Sequence, residues 1–463
     1  MFNIGALWRE FETQWGSRLP ATNPAKIVGN DTVNGDVNIV NLKIFKDQVA
    51  FDMMSQITEI HIFESIVSPV IHCEMVVADA INLQNDFIID TSCIALVEFQ
   101  TPGADPNQMF FRVRHVGNKR DVPGLTMKVY KVELVSVEAV AAQDVPPRGI
   151  GSLAGFKLND TPGDLIEKIV KDFINTQPEV RSLRGINYGR AEQRLDIDSG
   201  HGIVAKNALQ TPALPINRKP FEVIHQLALV ANKSPEGDSL YTFFERKDGY
   251  YFKPIEKLMR EGKKLHRDGK TDAIFFFDHL RNQNQSAVKV RNILAYNIPR
   301  AGDITQGRGE GVNTQATTTN PQTGDNSAGV TAPIDNKLAE LTSIQALRAF
   351  DNITRFENIT STEYDHLNEV LVRRRQLLLR ISQYEAQILI YGDSNLSVGD
   401  VIECNFPRSA STDRESSDPQ GASDLDNDSG YYIITHLRHM ILNTDRPQHI
   451  ISCNLMRAEP GRS

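Results

Sequence analysis

The chain has 463 residues, too many for one ordinary core, and at roughly 100–200 residues per domain it predicts two to four domains. Hydrophobic residues make up 40% and charged residues 23%, the composition of a folded protein, and no apolar run approaches the ~20 residues needed to span a bilayer. The formal net charge of −8 excludes a protein that grips phosphate through a basic face, yet it suits the wall of a pore past which nucleic acid slides.

Residues 1–20 predict an amphipathic helix, because Ile4, Leu7, Trp8, Phe11 and Trp15 fall on one helical stripe. Both tryptophans of the chain lie here, and the stripe is the candidate partner-docking surface, against another protein or against the chain's own barrel. Glu10 and Glu12 interrupt this segment and no basic stretch precedes it, so a secretory signal is not expected and folding in the cytosol is. Residues 21–36 are polar, with Pro24, Gly29, Asn34 and Gly35, and complete an N-terminal arm over 1–36.

From Val37 the pattern becomes period-two. Thr58 to Ser65, Val70 to Val77, Phe110 to Val116 and Met127 to Val137 alternate, which predicts an all-β domain over 37–142 whose strands end near Val140. Residues 143–290 mix helices and strands into an α/β middle domain. Thr161-Pro162 reads as a helix start, with Leu165, Ile166, Ile169, Val170, Phe173 and Ile174 on its apolar face. A second helix from Pro220 buries Phe221, Ile224, Leu227 and Ala228. Tyr241 to Glu245 and Tyr250 to Phe252 predict a hairpin turning at Asp248-Gly249.

Residues 291–463 predict a second β-domain. Its stretch 301–333 holds almost no large apolar side chain and reads as a flexible loop. Helices are expected at about 335–350 and 361–375, the second opening on the capping box Thr360-x-x-Glu363. The loop 409–429 is acidic, with Asp413, Glu415, Asp418, Asp424, Asp426 and Asp428 against Arg414.

The two β-domains share a pattern. Phe110-Phe-Arg-Val-Arg-His115-Val116 matches Tyr431-Tyr-Ile-Ile-Thr-His436-Leu437. The strand from Lys128 to Glu138 matches that from His449 to Glu459 at the same spacing, and Asp79 to Leu83 matches Asp393 to Leu396. The fold class is therefore mainly β with an α+β insertion, two similar β-barrels flanking the middle domain. With two copies per chain, three chains would make a six-fold-like ring.

Chemical motifs are sparse. Cys73, Cys93, Cys404 and Cys453 form no CxxC pair and are expected as buried, reduced thiols. His436 and His439 should point to opposite faces of their strand, so no chelating pair is expected, and His225 is expected to be a packing residue of its helix. Asp424-x-Asp426-x-Asp428 resembles the start of a calcium loop but lacks the glycine and the terminal glutamate at their required positions. Gly307 to Gly311 follows no strand, and no Lys-Ser/Thr ends it. Arg373-Arg-Arg375 is expected to be solvated or matched to a helix end. No catalytic residue, metal ligand or cofactor is assigned, and the chain is read as a non-enzyme.

At Ile60 to Pro69, Cys73 to Asp79, Arg218 to Ala228, Tyr241 to Phe252, Leu396 to Ile402 and Gly430 to His436 the chain resembles the central baseplate hub proteins of contractile-tail phages. A related hub region occurs in type VI secretion spike and phage late-control proteins. The resemblance spans about residues 40–460 and rests on strand patterns. It implies tube-type barrels and a homotrimer that adapts a hexameric tail tube to a trimeric central spike. The implied partners are the spike, a tube or tube-initiator protein, baseplate wedge proteins and the tape measure, with DNA only as passing cargo. The implied place is the virion baseplate, assembled in the host cytoplasm. A tail-associated cell-wall hydrolase and a glycan- or receptor-binding β-protein are the alternative readings.

Overall fold

A computed structural model of the chain describes residues 35–46, 49–121, 127–145, 161–177, 180, 194–197, 218–231, 238–270, 273–277, 291–301, 313–316, 330–331, 353–356, 374, 377–378, 381, 384–406 and 428–457. The predicted helix over 1–20 with Ile4, Leu7, Trp8, Phe11 and Trp15, the helix at 335–350 and nearly all of the acidic loop lie outside them, as does all of the 361–375 helix except Arg374.

The first β unit contains β1 (Asn38–Lys46), β2 (Val49–Asp52), β3 (Ile57–Ser65), β4 (His72–Asp79), β5 (Ile94–Gln100), β6 (Asn107–Asp121) and β7 (Lys128–Ser136). In β3 and β4 every second residue is inward: Ile60, Ile62, Cys73, Met75 and Val77 are fully buried, as the alternating sequence requires. They meet Val97, Phe99, Phe111, Tyr130 and Val132 in one core. The last strand stops at Ser136, and Val137–Asp144 (α1) is helical, so Val140 belongs to a helix.

The middle unit holds α2 (Pro162–Ile169), which continues as a π-helical turn over Val170–Ile174, then β8 (Arg194–Ile197), α3 (Pro220–Val230), β9 (Tyr241–Arg246), β10 (Gly249–Pro254) and α4 (Ile255–Arg267). The Thr161 hydroxyl accepts the Asp164 N–H, and the Asp164 carboxylate accepts the Thr161 N–H, a closed capping box in front of Pro162. The predicted apolar face is buried at Leu165, Ile166, Ile169, Val170 and Ile174 against Val223, Ile224 and Tyr250. Arg246 pairs with Gly249, so the hairpin turns on Lys247-Asp248, one residue before the expected position, and Gly249 takes φ +143°.

The second β unit is built from β11 (Ile274–Phe276), β12 (Arg291–Ala301), β16 (Tyr384–Tyr391), β17 (Val401–Asn405), β18 (Gly430–Leu442) and β19 (Gln448–Arg457). Between them β13 (Asn313–Ala316), β14 (Val330–Thr331) and β15 (Ile353–Phe356) form a separate three-stranded sheet, so the stretch read as a loop contains two short strands. The order β17-β11-β12-β16-β19-β18 closes on itself through the β17–β18 pairing, a six-stranded barrel. Its strand β11 comes from the 143–290 segment.

The repeat is present in the topology. The order β3-β4-β7-β6-β5 in the first unit returns as β12-β16-β19-β18-β17 in the second. Two bulges return with it. The register of β6 on β7 shifts between Val113 and His115, opposite Leu134 and Glu133; that of β18 on β19 shifts between Ile434 and His436, opposite Leu455 and Asn454. The register of β3 on β4 shifts between Ile57 and Glu59, opposite Val77 and Val76; that of β12 on β16 shifts between Ile293 and Ala295, opposite Ile390 and Leu389. Bulges fix where a strand bends and twists, so shared bulges mean shared barrel geometry. The same registers place Gly392, not Asp393, at the position of Asp79, because Gly392 follows β16 onto His449 as Asp79 sits on Lys128. Asn395-Leu396 keeps its match with Asn82-Leu83.

Candidate functional site

The residues that bind the two barrels and the middle unit together form the most elaborate buried polar site among the described residues. It begins with β18. Its 13 residues are too long for one barrel: the Gly430 to Ile433 end pairs with β17, and from His436 to Leu442 the same edge pairs antiparallel with β3 of the first unit. Both barrels thereby become one 13-stranded sheet. The cores exchange residues at this seam. Ile441, on β18, is buried in the first core, and Ile66, just past β3, is buried in the second. Burial of one such side chain stabilises by about 1.5–3 kcal/mol.

Below the seam, three carboxylates are consumed by partners from other units. Glu245 accepts the Ile71 N–H at 3.1 Å and the Ser136 hydroxyl at 2.7 Å, which fastens the β9 end to the first barrel. Asp400 meets the Arg246 guanidinium at 3.0 Å, and that guanidinium stacks over Tyr251. Glu64 of β3 is only 2% exposed and accepts the Val398 N–H at 3.2 Å from the second barrel. Burial raises its carboxyl to about 7; the nearby Arg246 and Lys247 charges oppose that rise. Its Oε1 has no hydrogen-bond partner among the described residues.

A second cluster clips the ends of β5 and β16. The Thr101 and Ser394 hydroxyls lie 2.8 Å apart, the Thr101 oxygen accepts the Ser394 N–H at 3.0 Å, and Asn107 donates to the Ser394 carbonyl at 2.8 Å. Lys247 donates to that same carbonyl. Above it, His439 and His449 share a hydrogen bond of 2.9 Å beneath the edge of Phe99. Burial holds both imidazoles neutral, His449 down to about 3 and His439 well below its usual value. Gly392 makes room for the pair, since a Cβ there would lie 2.1 Å from the His449 ring.

His436 is exposed and His439 buried, so the expected opposition of faces holds. The partner of His439 is His449, across one strand pair, a relation that only the register of β18 on β19 reveals. His225 is exposed on α3, against expectation, because Val223, Ile224, Leu227 and Ala228 already fill its buried face. Arg374 is also corrected. It is not merely a solvated charge: it donates to the Ala228 carbonyl at 2.8 Å and the Tyr241 carbonyl at 3.3 Å, tying the second barrel's approach to α3 and β9. Asp428 lies 3.7 Å from the buried Arg457 guanidinium, while Asp424 and Asp426 are outside the described residues. All four cysteines are free and buried. Among the described residues no three potential metal ligands gather, and no helix is long and apolar enough to cross a membrane.

The site's chemistry is that of a joint: backbone donors met by carboxylates, and a buried imidazole pair. No protein-family model and no curated protein matches the chain. Among solved structures it is similar to a tail protein of Neisseria meningitidis MC58, at TM-score 0.49 and 8% identity over 91% of this chain and 99% of that one. A 43 kDa tail protein of prophage MuSo2 from Shewanella oneidensis matches at TM-score 0.48 and 10% identity, over 90% and 98%. The E. coli c3393 protein, a component of the type VI secretion system, matches at TM-score 0.40 and 10% identity, over 92% and 79%.

Proposed function

We propose that the chain is a structural, non-enzymatic hub of a contractile-tail baseplate. In this reading three copies form a ring of six barrels that adapts a hexameric tail tube to a trimeric central spike and encloses the channel for tape measure and DNA. The observation that carries it is the duplicated five-strand unit with its two repeated bulges. A chain that contains the same five-strand unit twice, already joined edge to edge in one sheet, suits the presentation of repeated units around an axis. The polar joint supports the reading, since it fixes the two barrels and the middle unit as one body.

Light scattering of the full chain, alone and with the tube and spike proteins of the same tail, tests the proposal. A trimer that binds both is the expected result. A chain that remains monomeric with both partners overturns it, and lysis of purified cell walls by the chain would favour a hydrolase instead.

A further inference from the structure

The seam inside the chain states how one barrel joins the next, and the repeat says where the same seam is left open. β18 corresponds to β6, and β3 to β12. On the edge where β18 carries β17 and then β3, β6 carries β5 only over Asn107 to Arg112. From His115 to Asp121 nothing among the described residues pairs with that edge, and Asn118, Lys119, Arg120 and Asp121 are exposed. On the edge where β3 carries β18, β12 is paired among the described residues by β11 at Arg291 and Asn292 alone, and Ala295, Tyr296 and Asn297 are exposed. The contrast is sharpest at matched positions: Ile60 and Ile441 face each other at the seam and are 0% exposed, while the Tyr296 that stands for Ile60 is 38% exposed and the Asp121 that stands for Ile441 is exposed.

The two open edges also fit in register. β6 has one extra residue between Gly117 and Arg120, opposite Lys131 and Val129, which β18 lacks. β12 has one extra residue between Asn297 and Arg300, opposite Gln387 and Glu385, which β3 lacks. Laid together as β18 lies on β3, the insertions face each other, Asn118-Lys119 against Ile298-Pro299. A single insertion would slip the ladder and turn every later side chain to the wrong face. Two opposed insertions keep it in step: Val116 opposite Ala301, Gly117 opposite Arg300, Arg120 opposite Asn297, Asp121 opposite Tyr296. Pro299, which has no N–H, falls within the bulge, where proline is tolerated.

We infer that these edges are two halves of one interface: residues 116–121 of one copy pair antiparallel with residues 296–301 of a second copy. The contact is head-to-tail, so it repeats from copy to copy, closes a ring where the rotation between copies divides a full turn, and covers both of these edges in every copy. The inference rests on the hub reading only in requiring that copies associate.

The experiment uses the full chain carrying Arg120→Cys and Asn297→Cys. At the seam the matching pair is Met440 and His61, flanked by hydrogen-bonded pairs, as the Ile66 N–H to Thr435 and Asn443 N–H to Thr58 bonds set the phase. Such non-hydrogen-bonded pairs bring Cα atoms to about 4.5 Å, within disulfide reach. The native thiols are buried and do not compete. Mild oxidation should give covalent multiples of 51.8 kDa that end at the ring's copy number and collapse on reduction. Either single variant, and Arg120→Cys with Leu265→Cys on the exposed face of α4, should stay near monomer. Oxidation no greater than in these controls, in a sample that scattering shows to be oligomeric, overturns the edge pairing and leaves the hub reading standing. A cross-linked ring that binds neither tube nor spike protein keeps the edge pairing and overturns the hub.

Discussion

The two β units share five strands and two bulges, but among the described residues only the second closes on itself. In the second, β11 contributes three residues and runs parallel to both β17 and β12. In the first, the corresponding place beside β5 is taken by β1, nine residues long and antiparallel, which then turns into β2. What recurs is therefore the five-strand unit that receives or donates an edge, while the strand beside it differs in length and direction. The five-strand unit is the recurring part of the fold; the strand beside β5 or β17 is not.

The largest effect should come from setting Ile441 against Asp121, which occupy corresponding positions on β18 and β6. Ile441→Ala should cost about 2–4 kcal/mol in denaturant unfolding, since it opens a cavity in the first core. Asp121→Ala should change stability by less than about 0.5 kcal/mol in the isolated chain. Ile441→Asp, which copies the β6 residue into the seam, should prevent folding by burying an unpaired carboxylate. Equal losses at the two positions would remove the contrast between the filled seam and the open edge.

The repeat was legible because strand alternation and spacing survive in β6, β7, β18 and β19, and because Asn82-Leu83 and Asn395-Leu396 mark the same turn. The closing strand β11 was not, because three residues carry no periodicity. Helix α4 was missed for a related reason: only Ile255, Leu258 and Met259 supply its large apolar burial, and its later turns are Glu261-Gly-Lys-Lys. The joint was illegible altogether. Glu64, Glu245, Ser394 and His449 lie far apart in sequence, and their meeting is fixed by register, which a one-residue slip such as the Asp79–Asp393 match would already miss. The alternation that hides His439 from His436 was visible, whereas its partner was not.

The next effect is on pH. Glu64 is raised to about 7 in the folded chain and returns near 4.5 on unfolding, so the folded state holds its proton more tightly. Its contribution is complete below about 4.5 and is lost as pH climbs through 7. Glu64→Gln should flatten that loss, on the order of 3 kcal/mol. The imidazole pair acts in the other direction. His439 and His449 are depressed when folded, so their contribution is present above about 6.5 and disappears on acidification toward 3. Two imidazole slopes outweigh one carboxyl slope until the unfolded imidazoles lose their protons, so stability should peak at about pH 6.5–7. Urea midpoints measured from pH 4 to 8 check both limbs, and a limb that survives Glu64→Gln or His449→Gln unchanged assigns it to other groups.

The smallest effect separates the buried tie between the barrels from the exposed one. The Thr101–Ser394 contact lies under the sheet, and Ser394→Ala should cost about 1 kcal/mol: it loses the hydroxyl–hydroxyl bond and the long 3.4 Å bond from the Thr101 N–H, while the Ser394 N–H still satisfies the Thr101 hydroxyl. Asp36 and Arg446 also join the first and second units, through two contacts of 3.0 Å, yet the guanidinium stands in water. Solvent and salt screen such a pair, so Arg446→Ala should leave the thermal midpoint unchanged at physiological ionic strength and lower it slightly only in dilute buffer. A salt-independent loss at Arg446 that equals the loss at Ser394 would mean that the fork carries the joint. The seam would then depend on its rim as much as on its core.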